Sequence, residues 1–271
     1  EKRQGIINKL NIFSHTLQDD FNKIPSSPIA YWVSDRVREV FSFKETVIDF
    51  AVTKHGMSTS DNNKYLRFWH EVSQTNIGYN FKSRDAALNS GLKWFPYNKG
   101  GSFRRWYGNN EYLVNWQHDG EEIKKVSNDK YPYLNGNLGF VLGGQEYFFR
   151  KGITWSSLTV GKVSMRVFGE GFLFDAKGQC LFPKSEESYC NLIAFLNTKV
   201  VDKFLKILSP TIDYNSGKIA ILPIVFSEKQ VINPNTNKII SYSKINWDSR
   251  EISWDFEQLP ILKSDNKLEN L

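Results

Sequence analysis

The sequence predicts an α/β (α+β) fold: an irregular, twisted, largely antiparallel sheet with packed helices, preceded by a helical N-terminal segment. Three observations point there. From Val47 to about Phe226 the chain consists of short apolar runs broken by Gly, Asn and Ser, the texture of short strands joined by turns. Further on, Leu192, Ile193, Leu196, Val200, Phe204, Ile207 and Leu208 recur at helical spacing, the stripe of a helix packed on a core. Hydrophobic residues make up 40% of the 271 positions, enough for a sizeable core, and no apolar run approaches the roughly 18 residues of a membrane span.

Residues 1–41 are expected to form a helical connector. Ser27 can cap, Pro28 suits a first helical position, and Ile29, Trp32, Val33, Val37, Val40 and Phe41 share one apolar face. Residues 42–226 form the main domain, with successive strands at Ile153–Thr159, Val163–Phe168 and Gly171–Phe174 and turns at Gly161-Lys162 and Gly169–Gly171. A single long helix is expected from about Glu186 to Leu208, stopped by Ser209-Pro210. Residues 227–271 are polar and Asn-rich before aromatics return between Trp247 and Phe256, so this extension is expected to pack back through aromatic anchors. The chain starts at Glu1 without the basic, apolar, small-residue order of a signal peptide, and is expected to be a piece of a longer protein.

The net charge is +6; residues 227–271 contribute −1, so the first 226 residues hold +7. That excess suits nucleic acid as well as many ordinary basic enzymes. Cys180 and Cys190 lack CxxC spacing and the four histidines are scattered, which indicates a reduced, cytoplasmic protein without a metal site. The main catalytic signatures are missing. Lys99-Gly100-Gly101-Ser102 has the wrong order for a phosphate loop, and no Gly-x-Ser-x-Gly elbow exists. There is no Asn/Asp-Pro-Pro-aromatic motif to hold a flipped base, nor a Gly-rich cofactor loop after an early strand. Glu122-Ile-Lys124, with Asp85 or Asp119, offers a nuclease-like carboxylate–lysine set, though charged surface triplets of this kind are common.

Three segments suit contact rather than catalysis. Trp94–Tyr107, WFPYNKGGSFRRWY, joins the flat faces of Trp94, Phe95, Tyr97, Phe103 and Trp106 to the charges of Lys99, Arg104 and Arg105 around a Gly pair. Taken alone it serves equally as a core-packing hairpin with solvated arginines or as a surface that grips a polyanion. Residues 54–67 carry Lys54, Asn62, Asn63, Lys64 and Arg67, side chains able to meet phosphates or base edges. Residues 151–162 place Thr154, Ser156, Ser157 and Lys162 on a strand and its turn, where a sheet with hydroxyls on its wet face is the plain alternative.

Together with HGMSTSDNNKYLRFWHEV, RKGITWSSLTVGK and LIAFLNTKVVDKFLKILSPTIDYNSGKIAILPI, the WFPYNKGG segment resembles the C-terminal half of the PglX (BrxX) adenine-specific DNA methyltransferases of BREX phage-defence systems and related type IIG restriction–modification enzymes. The resemblance extends over nearly the whole chain. It implies a target recognition domain, similar to those of type I specificity subunits, closed by the long helix and an SGKIAILPI strand. On that reading residues 1–41 lead out of a methyltransferase domain in the parent chain, which would bind S-adenosylmethionine and methylate adenine N6 in the bacterial cytoplasm. This region would hold no cofactor and would select the sequence of double-stranded DNA. Lys99, Arg104, Arg105, Lys162 and Lys218 would contact phosphates, and Asn62, Asn63, Arg67, Thr154, Ser156 and Ser157 would read bases or hold loops. Trp94, Tyr97, Trp106 and Trp155 would build the core beneath. Ser60 replaces a family glycine, so its loop is expected to turn less tightly. Two alternatives remain: a docking module for the methyltransferase half or other defence proteins, anchored by Trp32, and a metal-dependent nuclease using Asp119, Glu122 and Lys124.

Overall fold

A computed structural model describes residues 17–42, 45–209, 211–224 and 234–263. The first sixteen residues of the expected helical connector, Pro210 and the start of the C-terminal extension lie outside them. Eight strands form two four-stranded sheets. They are β1 (Ala51–Lys54), β2 (Leu66–Phe68), β3 (Trp94–Asn98), β4 (Tyr112–Asn115), β5 (Gly152–Trp155), β6 (Met165–Phe168), β7 (Leu173–Phe174) and β8 (Cys180–Pro183). One sheet runs β1-β8-β5-β6 and the other β2-β4-β3-β7. All pairings are antiparallel except β3 with β7. The α+β class read from the sequence is the class observed.

Two hydrophobic cores form, and the second is shared by both sheets, taking Phe168, Cys180 and Phe182 from β6 and β8 of the first sheet. Against the first pack Ile153, Trp155, Met165, Leu181, Leu192, Ile193, Val201, Leu205 and Ile219. Against the second pack Phe95, Tyr97, Trp116, Phe148, Phe149, Leu173 and Phe174, several edge-to-face at ring separations of 5.3–5.5 Å. Tyr97 and Trp155 are fully buried, as expected, while Trp94 and Trp106 are half-buried.

Four expectations of local structure are corrected. The long helix is two helices, Glu186–Leu196 and Lys199–Leu208. Thr198 caps the second, its Oγ1 accepting from the Val201 amide at 3.3 Å. Asn197, buried between them, exchanges two 3.1 Å bonds with the Met165 backbone instead of continuing the helix. Ser27 and Pro28 do not begin a helix. Ser26 and Ser27 take left-handed φ values of 69° and 43° in a turn, and the helices flank it at Gln18–Asn22 and Asp35–Val40. The SGKIAILPI segment opens as a short helix, Ser216–Ala220, because the Asn215 side chain caps the Lys218 amide. Only then does it extend, pairing Leu222 and Ile224 with Val47 and Glu45. Ser60 adopts φ 62°, so the loop turns as a glycine would turn it, held by Ser60 Oγ against Ser127 Oγ at 3.3 Å. The C-terminal extension carries a helix, Pro234–Asp248, not foreseen from its Asn-rich sequence. Trp247 is buried, and Trp254 packs at a tilt against Tyr79 and Phe172.

Candidate nucleic-acid interface

Strands β1, β3, β5 and β7 finish, and β8 begins, at one end of the two sheets, as their register requires. The loops that leave this end therefore meet: residues 55–62, 99–103, 156–162 and 175–179. Asp175 is their hub. It is 4% exposed and its Oδ2 accepts from Lys99 Nζ at 2.5 Å and from the Tyr97 hydroxyl at 3.0 Å. Its Oδ1 accepts from the Lys177 amide at 2.7 Å, and its own amide donates to the Asn98 carbonyl. Tyr97 also donates to the Met57 carbonyl at 3.1 Å, and Lys99 reaches Asn62 Oδ1, which the Thr59 hydroxyl holds at 2.6 Å. Burial, and then the Asp175 carboxylate, push the Tyr97 phenol well above its usual pKa. A neutral phenol is the donor this geometry requires.

The neighbouring loop is tied in the same way. Ser156 Oγ donates to the Gly101 carbonyl at 2.8 Å and the Ser157 amide to the Lys177 carbonyl at 2.9 Å. Thr154 is buried, its hydroxyl donating to the Gln179 carbonyl at 3.0 Å, so it secures the loop from beneath. Gly178 has no room for a Cβ, which would strike the backbone of Asn98 and Gly100. Close backbone approach fixes glycine there.

Of the residues singled out by sequence, Asn62, Lys99 and Ser156 share this face, with Lys162 exposed near the tip of its loop. Thr154 and Ser157 are buried beneath it, 2% and 0% exposed, so they hold the loop and cannot reach a base edge. The others are engaged elsewhere. Lys54 pairs with Glu146 at 2.7 Å and Lys64 with Glu122 at 3.5 Å, while the neighbouring Asn63 is exposed. Arg67 donates to the carbonyls of Asn63 and Leu66 and lies over the Trp94 ring. Arg104 lies over Trp247, 4.9 Å from the ring centre, and reaches Asn246. Arg105 pairs with Asp202 at 3.4 Å, and Lys218 Nζ stands 3.5 Å from Ser26 Oγ. The backbone at Arg104 is itself fixed by Arg166, a buried guanidinium in β6 that donates to the Arg104 carbonyl. Burial, and then the charge of Arg104, lower the pKa of Arg166 to about 10.

The carboxylate–lysine set is a structural cluster. Asp119 accepts from Arg84 and from Lys124, the latter at 2.6 Å, and from Trp116 Nε1 at 3.2 Å. Burial opposes its ionisation, but the bonds from Arg84 and Lys124 outweigh burial and hold its pKa below the usual value. Among the described residues no three His, Cys, Asp or Glu side chains are gathered as metal ligands would be.

No protein-family model matches the chain. Over 253 residues, 91% of its length, it is 37% identical to the adenine-specific methyltransferase PglX of Lacticaseibacillus casei (strain Zhang). Over 265 residues, 97% of its length, it is 31% identical to the adenine-specific methyltransferase BrxX of Escherichia coli O9:H4 (strain HS). The chain is homologous to the PglX and BrxX adenine-specific methyltransferases. It spans about a fifth of the length of these relatives, 20% of each.

Sequence reading missed three residues of this loop face: Asp175, the exposed Lys177 and Gln179, whose side chain bonds the Ala176 carbonyl and the Ser216 amide. A signal was there. Asp175-Ala-Lys-Gly178 between two apolar runs reads as a turn with an Asp that bonds its own backbone two residues on. Among the described residues no helix is long and apolar enough to cross a membrane.

Proposed function

We propose that the chain is the DNA-sequence-reading part of an adenine-N6 DNA methyltransferase acting in phage defence or restriction–modification, and that it carries out no chemistry itself. The observation that carries this reading is the convergence of loops 55–62, 99–103, 156–162 and 175–179 on the buried Asp175, in a chain homologous to one fifth of two adenine-specific methyltransferases. Polar loops held to a fixed shape by a rigid scaffold are what groove recognition needs, since base edges are read by hydrogen bonds of set geometry.

The loop face divides the labour. Lys162 and Lys177 stand exposed without an ion pair among the described residues, so they supply phosphate contacts and salt-sensitive affinity. Asn63, exposed at the start of a short helix, presents an amide suited to an adenine edge, while Asn62, whose Oδ1 is held by Thr59 and Lys99, offers its Nδ2 as a donor. Arg104, Arg105 and Lys218 would have to leave their present partners to reach phosphate and contribute less. S-adenosylmethionine and methyl transfer belong to the rest of the parent chain. Among the described residues both sheets are antiparallel apart from one short pair, β3 with β7, whereas nucleotide-like cofactors are commonly cradled by a parallel-sheet crevice with a glycine loop.

Fluorescence anisotropy with a labelled duplex over a salt series tests this reading. Binding should fall steeply with salt, and Lys162→Ala/Lys177→Ala should weaken it on every sequence and flatten the log–log slope by about 2, near 0.9 for each lost phosphate contact. Asn62→Ala should leave the slope unchanged and relax the sequence preference in a selected duplex pool. Binding indifferent to salt and to both lysines would overturn the assignment.

A further inference from the structure

A second surface, remote in composition from the loop face, is an apolar groove with a basic margin. Helix Asp35–Val40 and helix Lys199–Leu208 leave between them a groove of about 580 Å³ lined by Trp32, Val33, Val37, Val40, Val200, Phe204 and Ile207. Trp32 is 57% and Val200 50% exposed, and Ile29 nearby in sequence is exposed as well. Large apolar side chains gathered in one concavity, rather than scattered singly, mark an interaction site. The charged residues that line the groove are Arg36, Lys203 and Lys206. All three are cations, and none has a carboxylate partner among the described residues.

From this arrangement we infer that the groove receives an amphipathic helix whose apolar stripe is flanked by Asp or Glu. The apolar floor would take side chains at i, i+3 and i+4 spacing, as helix-in-groove interfaces do. The three unpaired cations at its margin choose the sign of the partner's flanks and reject a basic helix. Residues 1–16 of the chain itself carry Lys2, Arg3 and Lys9 against Glu1 and so have the wrong charge for this margin. The groove shares no residue with the candidate DNA contacts, so the inference is independent of the DNA-reading assignment.

The test uses the full chain and labelled helical peptides that share one Leu stripe and differ only in flanks of Glu, Gln or Lys. Binding is read by peptide anisotropy. The Glu-flanked peptide is expected to bind most tightly, the Lys-flanked one at least about tenfold more weakly, a difference of about 1.4 kcal/mol. Val200→Glu, at a half-exposed position, should abolish the preference for the acidic peptide. Lys203→Glu/Lys206→Glu should invert it, with thermal melts confirming that both variants fold. Equal binding of the three peptides, no binding, or a Val200-dependent dimer in sedimentation would overturn the inference. So would peptide binding that appears only after deletion of residues 1–16, which would make that segment the occupant.

Discussion

Asp175 and Asp119 invite comparison because each is an aspartate that receives charged and neutral donors, yet they do different work. Asp175 is 4% exposed and joins segments from both sheets: the 55–62 loop through Tyr97 and Met57, the end of β3 through Lys99, and its own loop through Lys177. Asp119 keeps 22% of its side chain in water and, among the described residues, ties neighbours on the flank of the second sheet, Arg84, Lys124 and Trp116. It sits second in a run of three left-handed residues, His118 to Gly120, with φ of 51°, 57° and 74°. The difference teaches that burial and reach, more than the number of donors, decide what an ion pair is for. One carboxylate shapes a surface; the other pins a strained turn.

The largest effect is expected from Asp175→Asn. Removing a buried charge while leaving Lys99 half-buried should destabilise the fold by about 3 kcal/mol, measured as a urea midpoint. Hydrogen exchange should quicken at the Met57 and Lys177 amides before the strands of the first sheet respond, because those amides lie in the loops Asp175 ties. Asp119→Asn should cost less, about 1–2 kcal/mol, and asparagine tolerates the left-handed backbone, so the loss reports charge alone. Its pH dependence has a defined sign. The folded pKa is depressed, so the stabilisation is present above the ordinary carboxylate pKa of about 3.9 and is lost as pH falls through the folded value. Urea midpoints of wild type and variant should therefore converge in acid. Equal losses for the two substitutions at neutral pH would break the comparison.

The same contrast shows what a single sequence discloses. The strand texture and the Leu192–Leu208 stripe reported the class of fold because burial imposes period on sequence. The break at Asn197-Thr198 was hidden, since the stripe continues across it and the Asn is called away by the Met165 backbone, thirty-two residues distant. Aromatics and glycines marked the 94–107 segment. The partners of its cations, Asp175 for Lys99, Asp202 for Arg105 and Trp247 for Arg104, lie some seventy to a hundred and forty residues away, where no local pattern points. Lys162 and Lys177 differ from those cations in having no ion pair among the described residues, a property of the fold and not of the residue. The Ser60 turn was misjudged for a related reason: a positive φ costs a non-glycine residue about 1–3 kcal/mol, which the surrounding bonds can offset.

Tyr97→Phe sharpens the comparison with the smallest effect. The phenol is one of several groups on Asp175, and its loss should cost about 1 kcal/mol at neutral pH. In the Asp175→Asn background the same change should cost less, since the two residues share a bond and their effects couple. The alkaline limb separates a bonded tyrosine from a merely buried one. Burial and Asp175 both raise the folded pKa of Tyr97 above the ordinary phenol value of about 10. Its stabilisation is therefore complete below that pH and declines as pH rises further, because the unfolded chain ionises first. Wild type should thus lose stability more steeply than Tyr97→Phe above pH ~10, and the gap between them should close. If Asp175→Asn makes that limb shallower, the carboxylate is holding the phenol neutral; if the limb is unchanged, burial alone does so and Asp175 serves Lys99 and the loop amides.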